Sequence, residues 1–307
     1  HELWRWTFPV NKLNQQTEQL SPLSSRPAYT ETENELTVKA NKCTFIFSKK
    51  DGQLKGVSVD NRKISFANGP RFIGARRADR SLDQFYNHDD EKAKEKDRTY
   101  SEFPDAAVFT KLDVKEDGGN LVVTANYKLG NLDKAQWTIN PSRELALDYT
   151  YNFSGVVDLV GIRFDYPEDQ VISKRWLGAG PYRVWQNRIH GTQYDVWEND
   201  YNDPIPGETF TYPEFKGYFG DVSWMNIQTK EGTISLTNET PDAYIGVYQP
   251  CDGRNRVLYT LPESGISVLN VIPPVRNKVN STDLCGPSSQ PKWVNGPQTG
   301  RVIFRFM

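Results

Sequence analysis

Histidine and cysteine are scarce in this 307-residue chain, and charge of one sign is in no excess. The three cysteines, Cys43, Cys251 and Cys285, are too few for a disulfide framework. They show no CxxC spacing, which argues against a zinc site. Isolated small hydrophobes is the simpler reading of all three; a Cys251–Cys285 pair across a loop is the alternative. A formal net charge of -2 and a pI of about 6.0 leave no basic footprint for nucleic acid or an anionic membrane. No window approaches the roughly 20 apolar residues of a membrane-spanning helix, and no secretory leader is recognisable. The first residue is His1 rather than Met, which suggests a processed protein or an excised fragment. Helical periodicity is also nearly missing. Residues 87–100, "NHDDEKAKEKDRTY", are charged on every side and read as a solvated loop or a weak surface helix.

Alternation of apolar and polar residues is abundant. "CTFIFSKKDGQLKGVSVDNRKISFA" alternates on both sides of Lys50-Asp51-Gly52, the mark of a hairpin, because Asp-Gly accepts the positive φ of a tight turn. A second turn is expected at Asp60-Asn61. The same grammar recurs around Asp117-Gly118-Gly119, around Asn140-Pro141, and in "GTISLTNE", "YIGVYQ", "GISVLNVI" and "RVIFRFM". Short strands separated by turn signals predict an all-β fold of antiparallel sheets with very little helix. The expected organisation is an extended N-terminal arm over residues 1–32 and a single β domain over 33–307. Within the arm, Trp4, Trp6 and Phe8 alternate and are expected to pack as a strand.

Candidate chemistry centres on "RWLGAGPYRVWQNR", Arg175 to Arg188. Gly178 and Gly180 permit a sharp turn or a close approach, and Pro181 removes a donor. Such a turn would present Tyr182, Arg183, Trp185 and Arg188. Flat aromatic rings stack on the C–H face of a sugar, and guanidinium groups bond paired hydroxyls or a carboxylate. A cation–π ladder that staples the loop is the competing reading. Downstream, "HGTQYDVWENDYNDPIPGE" crowds Asp195, Glu198, Asp200, Asp203 and Glu208. Oxygen ligands on a loop can hold calcium, but the spacing is not that of an EF-hand, and a solvated acidic loop is the plain alternative. Glu214 stands before a Gly-rich aromatic run. It is a candidate ligand carboxylate or a partner for an arginine. His88 and His190 are the only internal histidines and lie in no recognisable catalytic context. G-x-S-x-G, P-loop, dinucleotide and H-E-x-x-H patterns are absent. Sequons occur at Asn152, Asn238 and Asn280.

"RWLGAGPYRVWQNR" resembles the W-x-G-x-G-P-x-x-x-[YW]-x-x-R stretch of the C-terminal domain of family 2 glycoside hydrolases of the β-galactosidase type. Trp176, Gly178, Gly180, Pro181, Trp185 and Arg188 carry the match. "YPEFKGYFGDVSW" is similar to the following stretch of that domain, through Pro213, Glu214, Gly217, Asp221, Val222 and Trp224. The resemblance implies a galactose mutarotase-like supersandwich, two large antiparallel sheets packed face to face. It also implies that the catalytic glutamates belong to a separate (β/α)8 barrel upstream in the same polypeptide. On that view this chain contacts an oligo- or polysaccharide without turning it over, needs no cofactor, and works in a periplasmic or extracellular setting. The family's W-R-x-P-T-D-N-D segment is replaced here by "GPRFIGARRADRS". Arg71, Arg76 and Arg77 in that replacement would make a more basic pocket, suited to an acidic glycan. The late segment that carries a sugar-contacting Trp is missing, so β-galactose specificity does not transfer. Candidate sugar contacts are therefore Tyr182, Arg183, Trp185, Arg188, Glu214, Arg76 and Arg77. A self-sufficient aldose 1-epimerase or polysaccharide lyase on the same fold, and a purely structural buttress, are the alternatives.

Overall fold

A computed structural model describes residues 26–77, 100–200, 216–247, 261–274 and 290–307. Its strands run β1 (Ala28–Glu31), β2 (Glu35–Ala40), β3 (Cys43–Ser48), β4 (Leu54–Val59), β5 (Arg62–Ile64), β6 (Ala67–Arg77) and β7 (Tyr100–Glu102). They continue with β8 (Val108–Asp117), β9 (Asn120–Lys128), β10 (Leu132–Ile139), β11 (Leu145–Asn152), β12 (Gly155–Val157), β13 (Leu159–Asp165) and β14 (Val171–Gly180). The last are β15 (Gln193–Asp200), β16 (Trp224–Thr229), β17 (Gly232–Asn238), β18 (Tyr244–Gly246), β19 (Ile266–Val271), β20 (Lys292–Val294) and β21 (Pro297–Phe306). A single 3-10 turn, Glu168–Gln170, is the only helical element among the described residues. The charged stretch 87–99, the aromatic arm residues, Cys251 and Cys285 lie outside the described residues.

Two large antiparallel sheets result. The ten-stranded sheet runs β1-β2-β3-β4-β6-β13-β19-β18, with β5 on β4 and β7 on β6. The nine-stranded sheet runs β15-β14-β16-β17-β21-β11-β10-β9-β8, and β12 and β20 form a small ribbon. β1 lies inside the segment expected as an arm, and its four residues pair with β2. The expected turns adopt the backbone their residues favour: Asp60 and Asn61 have φ of 50° and 65°, and Gly118 and Gly119 have 57° and 91°.

Period-two alternation explains why the sheets stack. Leu121, Val123 and Ala125 of β9 are buried, as are Leu147, Tyr149 and Tyr151 of β11, while the residues between them are more exposed. The core between the sheets is strongly aromatic. Phe47 meets Trp137 at 6.0 Å, Phe72 meets Tyr151 at 5.6 Å, and Phe66 meets Phe304 at 5.0 Å, each pair spanning the two sheets at a tilt. Cys43 is part of this core, its Sγ 3.9 Å from the Phe306 carbonyl. Burial pushes its thiol up to about 11. At pH 8 only about one thiol in a thousand is then ionised. We expect peptide-level mapping to show Cys43 unalkylated by iodoacetamide in the native protein and fully alkylated in urea.

A second, smaller core lies on the far side of the ten-stranded sheet. On β6, Phe72 points to the main core, whereas Ile73 and Ala75 belong to the second one. On β13 and β19, Leu159 and Leu269 join them. Val184, Trp185, Tyr218, Leu261 and Ile272 cover these residues from connecting segments. Only a cover on that face explains why the ten-stranded sheet is apolar on both sides here.

Candidate functional site

The stretch singled out from sequence builds that cover. Trp176, Gly178 and Gly180 are not in a turn: all three lie in β14, which pairs β15 on one side and β16 on the other. The turn begins at Pro181. The glycines serve close approach rather than special backbone angles. A Cβ on Gly178 would sit 2.9 Å from the Gly220 carbonyl, and one on Gly180 would sit 2.4 Å from the Trp197 ring. Trp176 is fully buried, crosses Phe219 edge-on at 4.9 Å, and donates its Nε1–H to the Ala179 carbonyl at 3.0 Å.

Beyond Pro181 the chain folds back over the ten-stranded sheet. Val184 and Tyr218 exchange backbone hydrogen bonds of 2.7 and 2.9 Å, locking the first motif stretch to the second. Trp185 and Arg188 close a tight backbone turn. Trp185 is 4% exposed and meets Tyr218 edge-on at 5.5 Å. The expectation that the turn displays Trp185 and Arg183 is therefore corrected. Both are buried, because the second core needs a cover and the motif supplies it. Tyr182, 58% exposed, and Arg188 remain at the surface of this corner, as does His190. Gln186 Nε2 donates to the Gln290 carbonyl at 2.6 Å, so the late segment is tied to the same corner. The second stretch is anchored by Lys216, whose Nζ lies 2.8 Å from Glu168 Oε1 with both side chains mostly buried. Nearby Tyr244 has its hydroxyl pKa raised, chiefly by burial and also by Asp221 and Asp242.

The remaining candidates scatter. Glu214 lies outside the described residues, as does the Arg77 side chain. Arg76 is exposed and pairs Ser101 across β6 and β7. Strand alternation puts it on the opposite face of β6 from Arg71. The acidic run starting at Asp195 is a strand, not a loop: β15 turns Val196, Glu198 and Asp200 outward and Asp195, Trp197 and Asn199 the other way. Glu198 and Asp200 share the outward face and Asp195 lies on the other, Asp203 and Glu208 lie outside the described residues, and no metal-holding group of His, Cys, Asp and Glu occurs among the described ones. Sequence reasoning missed Arg163 of β13, which lies directly across from Arg71. Nothing local marks it, since the pairing joins segments 92 residues apart.

Two stacked antiparallel sheets with a motif-built corner define a galactose mutarotase-like supersandwich. The chain belongs to the family described as beta galactosidase small chain, which matches residues 39–271. The fold is similar to a galactose 1-epimerase from Lactobacillus acidophilus, with a TM-score of 0.51, 10% identity, and coverage of 92% of this chain and 99% of that one. A GalM/aldose epimerase homologue from C. elegans covers the same shares at 7% identity and a TM-score of 0.41. A search of curated proteins found no significant match. The chain is thus a sugar-related domain of the mutarotase-like fold.

Proposed function

We propose that this chain is the carbohydrate-contacting, non-catalytic domain of a multidomain glycoside hydrolase. The observation that carries the reading is the use the fold makes of the two family stretches. Trp176, Trp185, Tyr218 and Phe219 are committed to packing, so these stretches act as scaffold, and Tyr182 with Arg188 stands at the solvent-facing corner they build. An exposed ring and an exposed guanidinium in one short stretch suit a saccharide with a C–H face and hydroxyls. On this reading hydrolysis, which requires two carboxylates about 5 Å apart in a retaining enzyme, is the work of an upstream barrel. The glycan, the barrel partner and a periplasmic or extracellular setting belong to the proposal, as do Glu214, Arg76 and Arg77 as further contacts.

The purified chain is expected to release no product from aryl glycosides and to leave the optical rotation of fresh galactose decaying at its uncatalysed rate. Tyr182→Ala combined with Arg188→Ala should weaken retention in glycan affinity electrophoresis by about threefold or more, while stability changes by less than about 0.5 kcal/mol, as is usual for exposed positions. Turnover in either assay would overturn the non-catalytic reading. Unchanged retention would remove the corner from the contact surface.

A further inference from the structure

The far face of the ten-stranded sheet has a polar end next to the second core. One cross-strand row carries Arg71 of β6, Arg163 of β13, Ser267 of β19 and Gly246 of β18, each directly opposite the next. The two arginine side chains therefore leave the same sheet face from directly paired positions. Arg71 donates to Asp165, whose other oxygen accepts from Asn68 Nδ2 at 2.8 Å. Arg163 instead donates to the Glu263 backbone carbonyl. Among the described residues no carboxylate is in ion-pair contact with Arg163.

Four polar atoms in this neighbourhood are buried without a hydrogen-bond partner among the described residues: Nε of Arg71, Nε of Arg163, and the hydroxyls of Ser264 and Ser267. Ser267 is 0% and Ser264 1% exposed. Leaving such groups unpaired is costly, and more so beside a like charge. Burial and the neighbouring Arg71 together lower the basicity of Arg163. Gly246 closes the row without a side chain of its own, and the Ser267 hydroxyl fills that space, where a Cβ would lie 2.2 Å from Ser267 Oγ.

We propose that Arg71 and Arg163 receive the carboxylate of a hexuronic acid residue. The assignment rests on the carbohydrate-contacting reading above and names the ligand class. A planar carboxylate matches guanidinium forks two oxygens at a time. Glu102, Glu263, Asp105 and Asp165 surround the pair. Their charge opposes a dianion such as phosphate more strongly than a monoanion, and carboxylates accept hydrogen bonds from sugar hydroxyls. A monoanion ringed by hydroxyls satisfies both halves of this array. Arg76, on the other face of β6, takes no part.

Calorimetric titration of the purified chain with galacturonate, glucuronate, galactose, acetate and inorganic phosphate tests the proposal. A uronate should bind about tenfold tighter than galactose, a difference of about 1.4 kcal/mol. Arg163→Gln should erase most of that preference. Arg163→Lys, which keeps the charge but loses the fork, should fall between. Circular dichroism and urea unfolding check each variant. If Arg163→Gln does not fold, Arg71→Gln, at a partly exposed position, carries the same expectation. Equal binding of galacturonate and galactose, or a preference that survives both glutamine variants, would overturn the assignment while leaving the carbohydrate reading intact. Acetate or phosphate binding as tightly as uronate would also overturn it. Failure of every saccharide to bind would overturn both readings.

Discussion

Trp176→Ala is expected to destabilise the protein by about 3–5 kcal/mol, the range for truncating a large buried aromatic. The ring is fully buried between β14 and the segment around Phe219, and its Nε1–H is used by the Ala179 carbonyl. Truncation removes the edge-on aromatic contact, leaves a cavity close to a side chain in volume, and strands a buried carbonyl. Urea unfolding followed by fluorescence and circular dichroism measures the change. A loss below about 1 kcal/mol, with glycan retention abolished, would reverse the interpretation and make Trp176 a contact residue. The contrast with Tyr182 is the informative part, because two aromatics of one motif are assigned opposite roles. One should move stability and the other binding.

Gly217→Ala should cost about 1–3 kcal/mol or more, the range for forcing extra volume into a packed site. Gly217 has no positive φ, so alanine meets no backbone strain of its own. The penalty is steric. A Cβ would sit 2.5 Å from the Val184 carbonyl oxygen and 2.7 Å from Trp185 Nε1. Neither neighbour yields cheaply, since Val184 is held by two backbone bonds to Tyr218. Gly220 is the internal comparison. Its Cβ would come no closer than 3.2 Å to a Val184 methyl, which can shift slightly. Gly220→Ala should therefore cost well under half as much. If the two substitutions proved equal in urea unfolding, close approach would not be the reason for glycine at 217.

These expectations tie the family stretches to architecture, and they bear on how such stretches are read. A segment holding Trp, Arg, Gly and Pro together looks like a display surface when only its own chemistry is considered. Here Trp176 is covered because it packs against Phe219 in the main core, and Trp185 because Tyr218, Leu261 and Ile272 gather with it on the far face of the ten-stranded sheet. The resemblance to the β-galactosidase C-terminal domain identified the right fold from the spacing of Trp176, Gly178, Gly180 and Pro181. It carried no information about which of these side chains water reaches.

Strand identity, the main turns and the all-β class were legible in the chain, because each rests on interactions among residues a few positions apart. Alternation sets the two faces of a strand, and Asp60-Asn61 or Gly118-Gly119 sets a positive-φ turn. The acidic strand β15 was misread as a loop because its carboxylates mask the alternation, and pairing with β14 overrides their low strand preference. Which strands become neighbours, and hence which side chains meet, was decided only in three dimensions. Arg71 faces Arg163, and Val184 bonds Tyr218, through pairings between distant segments, whose register follows from how the whole core packs. The same holds for the second core. Ile73 and Leu269 are ordinary strand residues in isolation, and they become a foundation only when the chain after Pro181 returns to cover them.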